Sequence, residues 1–340
     1  MSDFSDIYSP QKTQIEQQVR PQNLSEFIGQ KEVTDNLKVF ISAAAKRRES
    51  LDHLLLSGPP GLGKTTLARI IAQQFNAKFT QIAAPNLKRI GDVVKILSGL
   101  SEFEVLFIDE IHRLSSQIEE TLYSAMEDRT IDITLGDQNL ASALQINLPM
   151  FTLVGATTKP GDLTGPFRDR FGIKFHIEFY DTSEIAEIVR RAADVWKIQL
   201  EPKALEIISE RARNTPRIAL TLLRRVWDFA LVEKNNDANI IHPEIALSAF
   251  EKMSIDALGL TRLDNEFMKT IARMYDGGPV GLKPIAAVLA EDESTLESYI
   301  EPYLVRLGFI KRTPRGRMLS REAYQHLKLP QKNKQEDLFE

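Results

Sequence analysis

Five short apolar runs mark the first half of the chain: HLLLS at 53–57, KFTQIAA at 78–84, EVLFID at 104–109, FTLVGATT at 151–158 and IKFHIEF at 173–179. Each is too short for a helix, and the stretches between them repeat their apolar positions at helical spacing. Apolar strands separated by helices predict a doubly wound, mostly parallel α/β sheet. From Thr182 to about Phe250 the strand pattern stops. SEIAEIVRRAADVW, KALEIISERAR and PRIALTLLRRVWDFALV gather their apolar residues on one face, which predicts a small helical domain. Residues 255–328 mix helical stretches with the turn-rich GGPVGLKP, a capping box at Ser294-Thr295-Leu296-Glu297, and an apolar, basic, turn, apolar segment that reads as a closing hairpin. The expected organisation is a flexible segment at 1–19, a large α/β domain at 20–181, a helical lid domain at 182–254, a third domain at 255–328 and a flexible tail at 329–340.

Composition sharpens this picture. With 340 residues, 43% of them hydrophobic, the chain has ample material for two or three cores. No apolar run reaches the roughly 18 residues of a membrane span, and the start has no signal-peptide pattern, so a cytoplasmic protein is expected. The absence of cysteine excludes disulfides and thiolate metal sites. The formal net charge of −4 argues against a protein that coats nucleic acid everywhere, so any such contact must be local. KRTPRGR at 311–317 supplies a local cluster, with four cations in seven positions.

Gly58-Pro59-Pro60-Gly61-Leu62-Gly63-Lys64-Thr65-Thr66 follows a predicted strand and precedes a predicted helix. In that context Gly61 and Gly63 let backbone N–H groups curl around phosphate oxygens and the helix N-terminus adds positive potential. Lys64 reaches the β- and γ-phosphates, Thr65 ligates magnesium, and Thr66 belongs to the same nucleotide-binding set. A second strand delivers Asp109 and Glu110 at its carboxyl end, where open α/β sheets bind ligands. Asp109 there holds the magnesium shell and Glu110 polarises a water, so ATP hydrolysis with Mg2+ is expected. Thr215-Pro216 reads as an N-cap and first helical residue, which puts Arg217 in a first turn where the macrodipole disfavours a cation. An anion must compensate, and Glu210 is the local alternative to a bound phosphate.

GPPGLGKTT, LFIDEIHRL, LVGATT, FRDRFG and NTPRIALTLLRRV together resemble the AAA+ ATPases. With RPQNLSEFIGQ upstream and GGPVGLKPIAAVLAEDESTLESYIEPYLVRLGFIKRTPRGR downstream, the chain is similar to the RuvB family of Holliday junction branch-migration motors, from about Arg20 to about Tyr324. The resemblance implies an AAA+ P-loop domain, a helical lid and a winged-helix DNA-binding domain, assembled as a hexameric ring. It places a polar sensor of the γ-phosphate or water at Thr157 or Thr158, with Thr158 the favoured of the two. Arg170, in preference to Arg168 beside Asp169, becomes the arginine finger for a neighbouring subunit, and Arg217 the second sensor. It places Arg20, Ile28 and Tyr180 around the adenine and ribose, and Glu127 and Asp128 near a neighbour's nucleotide. Arg312 and Arg317 contact duplex or four-way junction DNA, with Arg315 at the wing tip. The partners implied are RuvA, docked on the hairpin at 130–149, and the RuvC resolvase.

That hairpin departs from the family pattern: Gln138, Asn139 and Leu140 form its turn, and Ser142 stands where an arginine is usual. Lys159-Pro160 likewise replaces an Arg-Ala pair. Leu140 and Leu144 remain available as an apolar partner patch. The tail from Gln335 to Phe339 resembles peptides that bind the bacterial sliding clamp. Three classes of function fit these features: a DNA-translocating motor for branch migration in recombination and repair, a nucleotide-switched loader or initiator of replication, and an operator-binding regulator.

Overall fold

The computed structural model describes residues 18–135, 142–233 and 239–330. They form two compact units: one comprises residues up to Gln199 together with Asn214–Thr221, the other Leu200–Arg213 together with the chain from Leu222 onward.

The first unit is built on a five-stranded sheet. Its strands are β1 (Leu54–Ser57), β2 (Phe79–Ala83), β3 (Glu104–Asp109), β6 (Phe151–Thr157) and β7 (Ile173–His176), in the order β2-β3-β6-β1-β7. Neighbours pair in parallel, as the near-continuous apolar runs of the inner strands β1, β3 and β6 predict for strands covered on both faces. All seven residues of β6 are buried. Leu54 of β1 and Leu153 and Val154 of β6 have no exposure, each contributing about 1.5–3 kcal/mol of burial. β6 lies beside β1, with Thr157 in register with Ser57, so the ends of both strands meet at the glycine loop. Between β3 and β6 the chain inserts the antiparallel hairpin β4 (Thr130–Leu135) and β5 (Ser142–Asn147). The turn residues 138–140 and the side chains of Ser142 and Leu144 lie outside what is described, as does the tail with Gln335–Phe339.

The helix Thr182–Trp196 opens on a capping box between Asp181 and Glu184. Helix Pro216–Val232 begins at Pro216, as the sequence predicts.

In the second unit, helices Pro202–Arg211 and Pro243–Lys252 precede a helical core closed by two strands, Ile310–Thr313 and Gly316–Leu319. Phe267, Ile271, Ile285, Leu296, Ile300 and Leu304 fill that core. Val280 bridges Arg317 and adds a third edge to the hairpin. A Cβ on Gly316 would meet the Val280 carbonyl at 2.3 Å, and its φ of +130° also needs glycine. The expected capping box at Ser294 does not form. The helical turn starts earlier, at Glu293 after Asp292, whose carbonyl accepts from the Thr295 and Leu296 N–H groups, so Ser294 already lies inside the turn. A π turn over Leu296–Ile300 then leads into helix Glu301–Arg306. Arg213, 5% exposed, forms a buried ion pair with the fully buried Asp264 at 3.3 and 2.5 Å and donates to the Gly259 carbonyl at 2.8 Å.

Candidate nucleotide site and DNA-binding wing

The glycine loop leaves β1 with Gly58 N–H donating to the Thr157 carbonyl at 3.1 Å, and the helix Lys64–Gln74 follows. Gly61 and Gly63 have φ of +83° and +99°. A Cβ on Gly61 would lie 2.9 Å from Thr215 Cγ2, and one on Gly63 would lie 3.1 Å from Phe27 Cζ. Glycine is thus required at both positions, by conformation and by the close packing of Thr215 and Phe27 against the loop. Lys64 is 7% exposed, and its ammonium donates to the Gly58 and Pro59 carbonyls at 2.7 and 2.8 Å. Burial pushes its pKa below the ordinary lysine value, while the Glu110 and Asp109 carboxylates oppose that shift and Arg217 adds to it. Lys64, Asp109, Glu110 and Arg217 therefore share one electrostatic neighbourhood. Arg217 is exposed, and its backbone N–H donates to the Gly61 carbonyl at 3.4 Å.

Half-buried Asp109 ends β3 and half-buried Glu110 follows it, as Thr158 follows the end of β6. The Thr158 hydroxyl donates to Glu110 Oε2 at 3.1 Å. Thr157 has no exposure and points instead toward His112, 3.0 Å from its Nδ1. Asp109 with the half-buried Thr65 is a hard oxygen donor set of the kind Mg2+ takes. Tyr180 is 2% exposed, donates from Oη to the Leu62 carbonyl at 3.1 Å, and has its pKa raised by burial. The Tyr180 backbone exchanges hydrogen bonds with Asn214, at 3.1 and 2.7 Å. Ile28 is half-buried beside buried Phe27, whereas Arg20 is exposed and lies within electrostatic reach of Arg69. Phe27, against Gly63, is a loop neighbour that the sequence reading missed, because a lone apolar residue far from the loop in sequence carries no chemical signature.

Arg170 sits elsewhere. Its cavity, about 370 Å³, is lined by Leu51, Asp52 and His53 before β1, Phe151 at the start of β6, and Gly172 before β7. These residues mark the amino ends of the parallel strands, opposite the glycine loop. Arg170 pairs with Glu127 and donates to the Met126 and Glu127 carbonyls at 3.2 and 3.4 Å. Its Nε is buried without a hydrogen-bond partner. Glu127 and Asp128 are both exposed at this end. Asp169 pairs with Lys174 at 3.2 Å. Beside Arg170, His53 accepts the Leu153 N–H at 2.9 Å on Nδ1 and is pushed by burial to a pKa of about 4, with Arg170 and Arg129 adding to the shift.

In the wing, Arg315 is exposed at the turn. Arg312 and Arg317, paired across the hairpin, both donate to Glu301, which has no exposure. Arg312 Nε reaches Oε1 at 2.8 Å, and Arg317 reaches Oε1 at 2.9 Å and Oε2 at 3.0 Å. Arg312 keeps 53% of its side chain exposed and Arg317 only 20%. The sequence reading missed Glu301 because the acid lies on the preceding helix, just outside the basic segment.

Comparison with known proteins agrees with this architecture. Residues 19–177 match the Holliday junction DNA helicase RuvB P-loop domain, 180–256 the RuvB AAA lid domain, and 257–328 the RuvB C-terminal winged helix domain. The chain is 45% identical over 338 residues to the Holliday junction branch migration complex subunit RuvB of Rickettsia africae, covering 99% of this chain and 98% of that protein. It is 48% identical over 318 residues to the namesake subunit of Staphylococcus haemolyticus, covering 94% and 95%. A solved structure of the Thermotoga maritima RuvB Holliday junction branch migration motor superposes with a TM-score of 0.83 at 46% identity, covering 92% of this chain and 99% of that one. With a glycine loop, paired strand-end acids, lid and wing all matched along nearly its whole length, the chain belongs to the RuvB family of AAA+ P-loop ATPases.

Proposed function

We propose that this chain is an ATP-driven translocase that pumps duplex DNA to move Holliday junctions in the cytoplasm, working as a hexameric ring with RuvA and RuvC. The domains read from the sequence carry the work: hydrolysis in 20–181, nucleotide sensing through the lid at 182–254, and the DNA grip in 255–328. The observation that carries the reading is the separation of Arg170 from the glycine loop. The two lie at opposite ends of the sheet, and β1 alone spans about 13 Å. An arginine so placed serves a neighbour's nucleotide, which makes ring assembly a condition for turnover.

At the phosphate end, the Lys64 ammonium exchanges its two carbonyl acceptors for phosphate oxygens. Thr65 and Asp109 hold Mg2+, which when bound neutralises charge on the β- and γ-phosphates. Glu110 polarises the attacking water, with Thr158 orienting its carboxylate. Arg217 reports phosphate occupancy to the lid. Arg20, Ile28 and Tyr180 flank the base and ribose, and Glu127 and Asp128 accompany Arg170 at the neighbouring site. Arg312 and Arg315 face DNA phosphates without reading sequence, and Arg317, answered by Glu301, holds the base of the wing that presents them.

The test is steady-state ATP turnover without DNA, with linear duplex and with a four-way junction, each with and without RuvA. Stimulation by duplex, directed to the junction by RuvA, is the expected result. Turnover indifferent to every DNA would make the chain a nucleotide switch instead.

A further inference from the structure

We propose that His112 is a positioning residue that fixes the Glu110 carboxylate, with buried Thr157 as its anchor. This rests on the reading of Glu110 as the group that polarises water. Glu110 leaves β3 in a left-handed conformation, φ 50° and ψ 46°, and the short turn Ile111–Arg113 follows. Ile111 is wholly buried and pins that turn, with the Arg113 N–H donating to the Glu110 carbonyl at 2.9 Å. The turn brings His112 back over the strand end.

There His112 Nδ1 lies 3.3 Å from Glu110 Oε2 and 3.0 Å from Thr157 Oγ1. Thr157 Oγ1 also accepts the Lys159 N–H at 2.9 Å, so the threonine is fixed from two sides. Taken as the protonated nitrogen, Nδ1 bonds Thr157 Oγ1 and stands at ion-pair distance from Glu110 Oε2, where a bare lone pair would repel the carboxylate oxygen. The Thr158 hydroxyl donates to the same Oε2 at 3.1 Å. Both contacts therefore leave Oε1 for the water.

The carboxylate needs such restraint. Glu110 is the foremost charge acting on the Lys64 ammonium, and a glutamate with free rotors drifts toward a neighbouring cation. His112 and Thr158 hold it away from that collapse. The two consecutive threonines thereby take different tasks: Thr158 touches Glu110, and Thr157 acts on it through His112.

The experiment measures ATP turnover and ATP-analogue affinity of the full chain with Mg2+ and duplex DNA. His112→Ala should lower kcat about 10- to 100-fold, as expected for a displaced catalytic group, with the affinity unchanged. His112→Asn, which keeps a donor near the Nδ1 position, should recover most of that loss, and His112→Phe, which keeps the bulk, should not. Thr157→Val should lower kcat in the wild-type background and add nothing to His112→Ala. Wild-type kcat in His112→Ala, or equal recovery by Asn and Phe, would overturn the proposal. Glu110→Gln separates the two readings: if it retains turnover, the reading of Glu110 itself fails, whatever His112 does. Should His112→Ala not fold, the contrast of Asn with Phe and the Thr157→Val effect decide the question.

Discussion

Lys64 in the phosphate loop and Arg317 in the wing are both cations withdrawn from water, and their partners set them apart. Lys64 donates to two neutral carbonyls, with Glu110 and Asp109 acting only through space. Arg317 donates twice to Glu301, a carboxylate with no exposure. A cation held by carbonyls keeps its charge for an arriving anion, whereas one held by a buried carboxylate is committed to the fold. Arg170 falls between the two: it has a half-exposed carboxylate partner, carbonyl acceptors and a buried nitrogen left over. Arg213, wholly buried against Asp264, is the extreme of the committed class.

The largest expected effect sharpens this division at Arg170. Arg170→Ala should reduce ATP turnover by about 10³-fold or more while a fluorescent analogue still binds with wild-type affinity, because the arginine acts on transition-state charge. Loss of binding in step with turnover would move Arg170 into the Lys64 class. Next, Arg213→Met should cost about 3–5 kcal/mol by urea denaturation, since Asp264 is left buried without its cation. Retained stability would break the committed class.

His53 tests the far end of the sheet by pH. Its pKa of about 4 lies below the unfolded value near 6.5, so the unfolded chain binds more protons between these limits. Stability should be full above pH 6.5 and fall by up to about 3 kcal/mol as pH drops to 4. His53→Asn, compared by urea midpoints across that window, should flatten the contribution. An unchanged slope would contradict it.

The smallest effects lie in the wing. Arg317→Ala should lower stability by about 1–3 kcal/mol, because Arg312 still answers Glu301. Arg315→Ala, exposed at the tip, should leave the urea midpoint unchanged and reduce the salt slope of DNA binding by about 1. Equal stability losses for the two would erase the distinction between wing tip and wing base.

How far the sequence could anticipate this follows from where the partners lie. The strands were legible because each apolar run is local, and β3 occupies the predicted residues 104–109. The glycine loop and the strand-end acids were legible because their chemistry demands fixed spacing along one strand and turn. Glu301 and the Arg213–Asp264 pair were not, since each joins residues from separate elements and nothing local marks an acid as buried. The start of the second winged-helix helix was misjudged: Ser294 and Glu297 have the spacing of a capping box, but the helical turn already begins at Glu293, two residues earlier than that box requires. His112 stood in view beside Glu110, yet its link to Thr157 appears only when β3 and β6 lie side by side.

The central claim, that hydrolysis needs an arginine from a neighbouring subunit, is tested most directly by mixing two inactive variants. Glu110→Gln chains keep Arg170, and Arg170→Ala chains keep Glu110. If Arg170 acts across the interface, mixed assemblies contain some complete sites, and DNA-stimulated ATP turnover should rise above that of either variant alone. A mixture that assembles yet stays as inactive as its components would contradict the account.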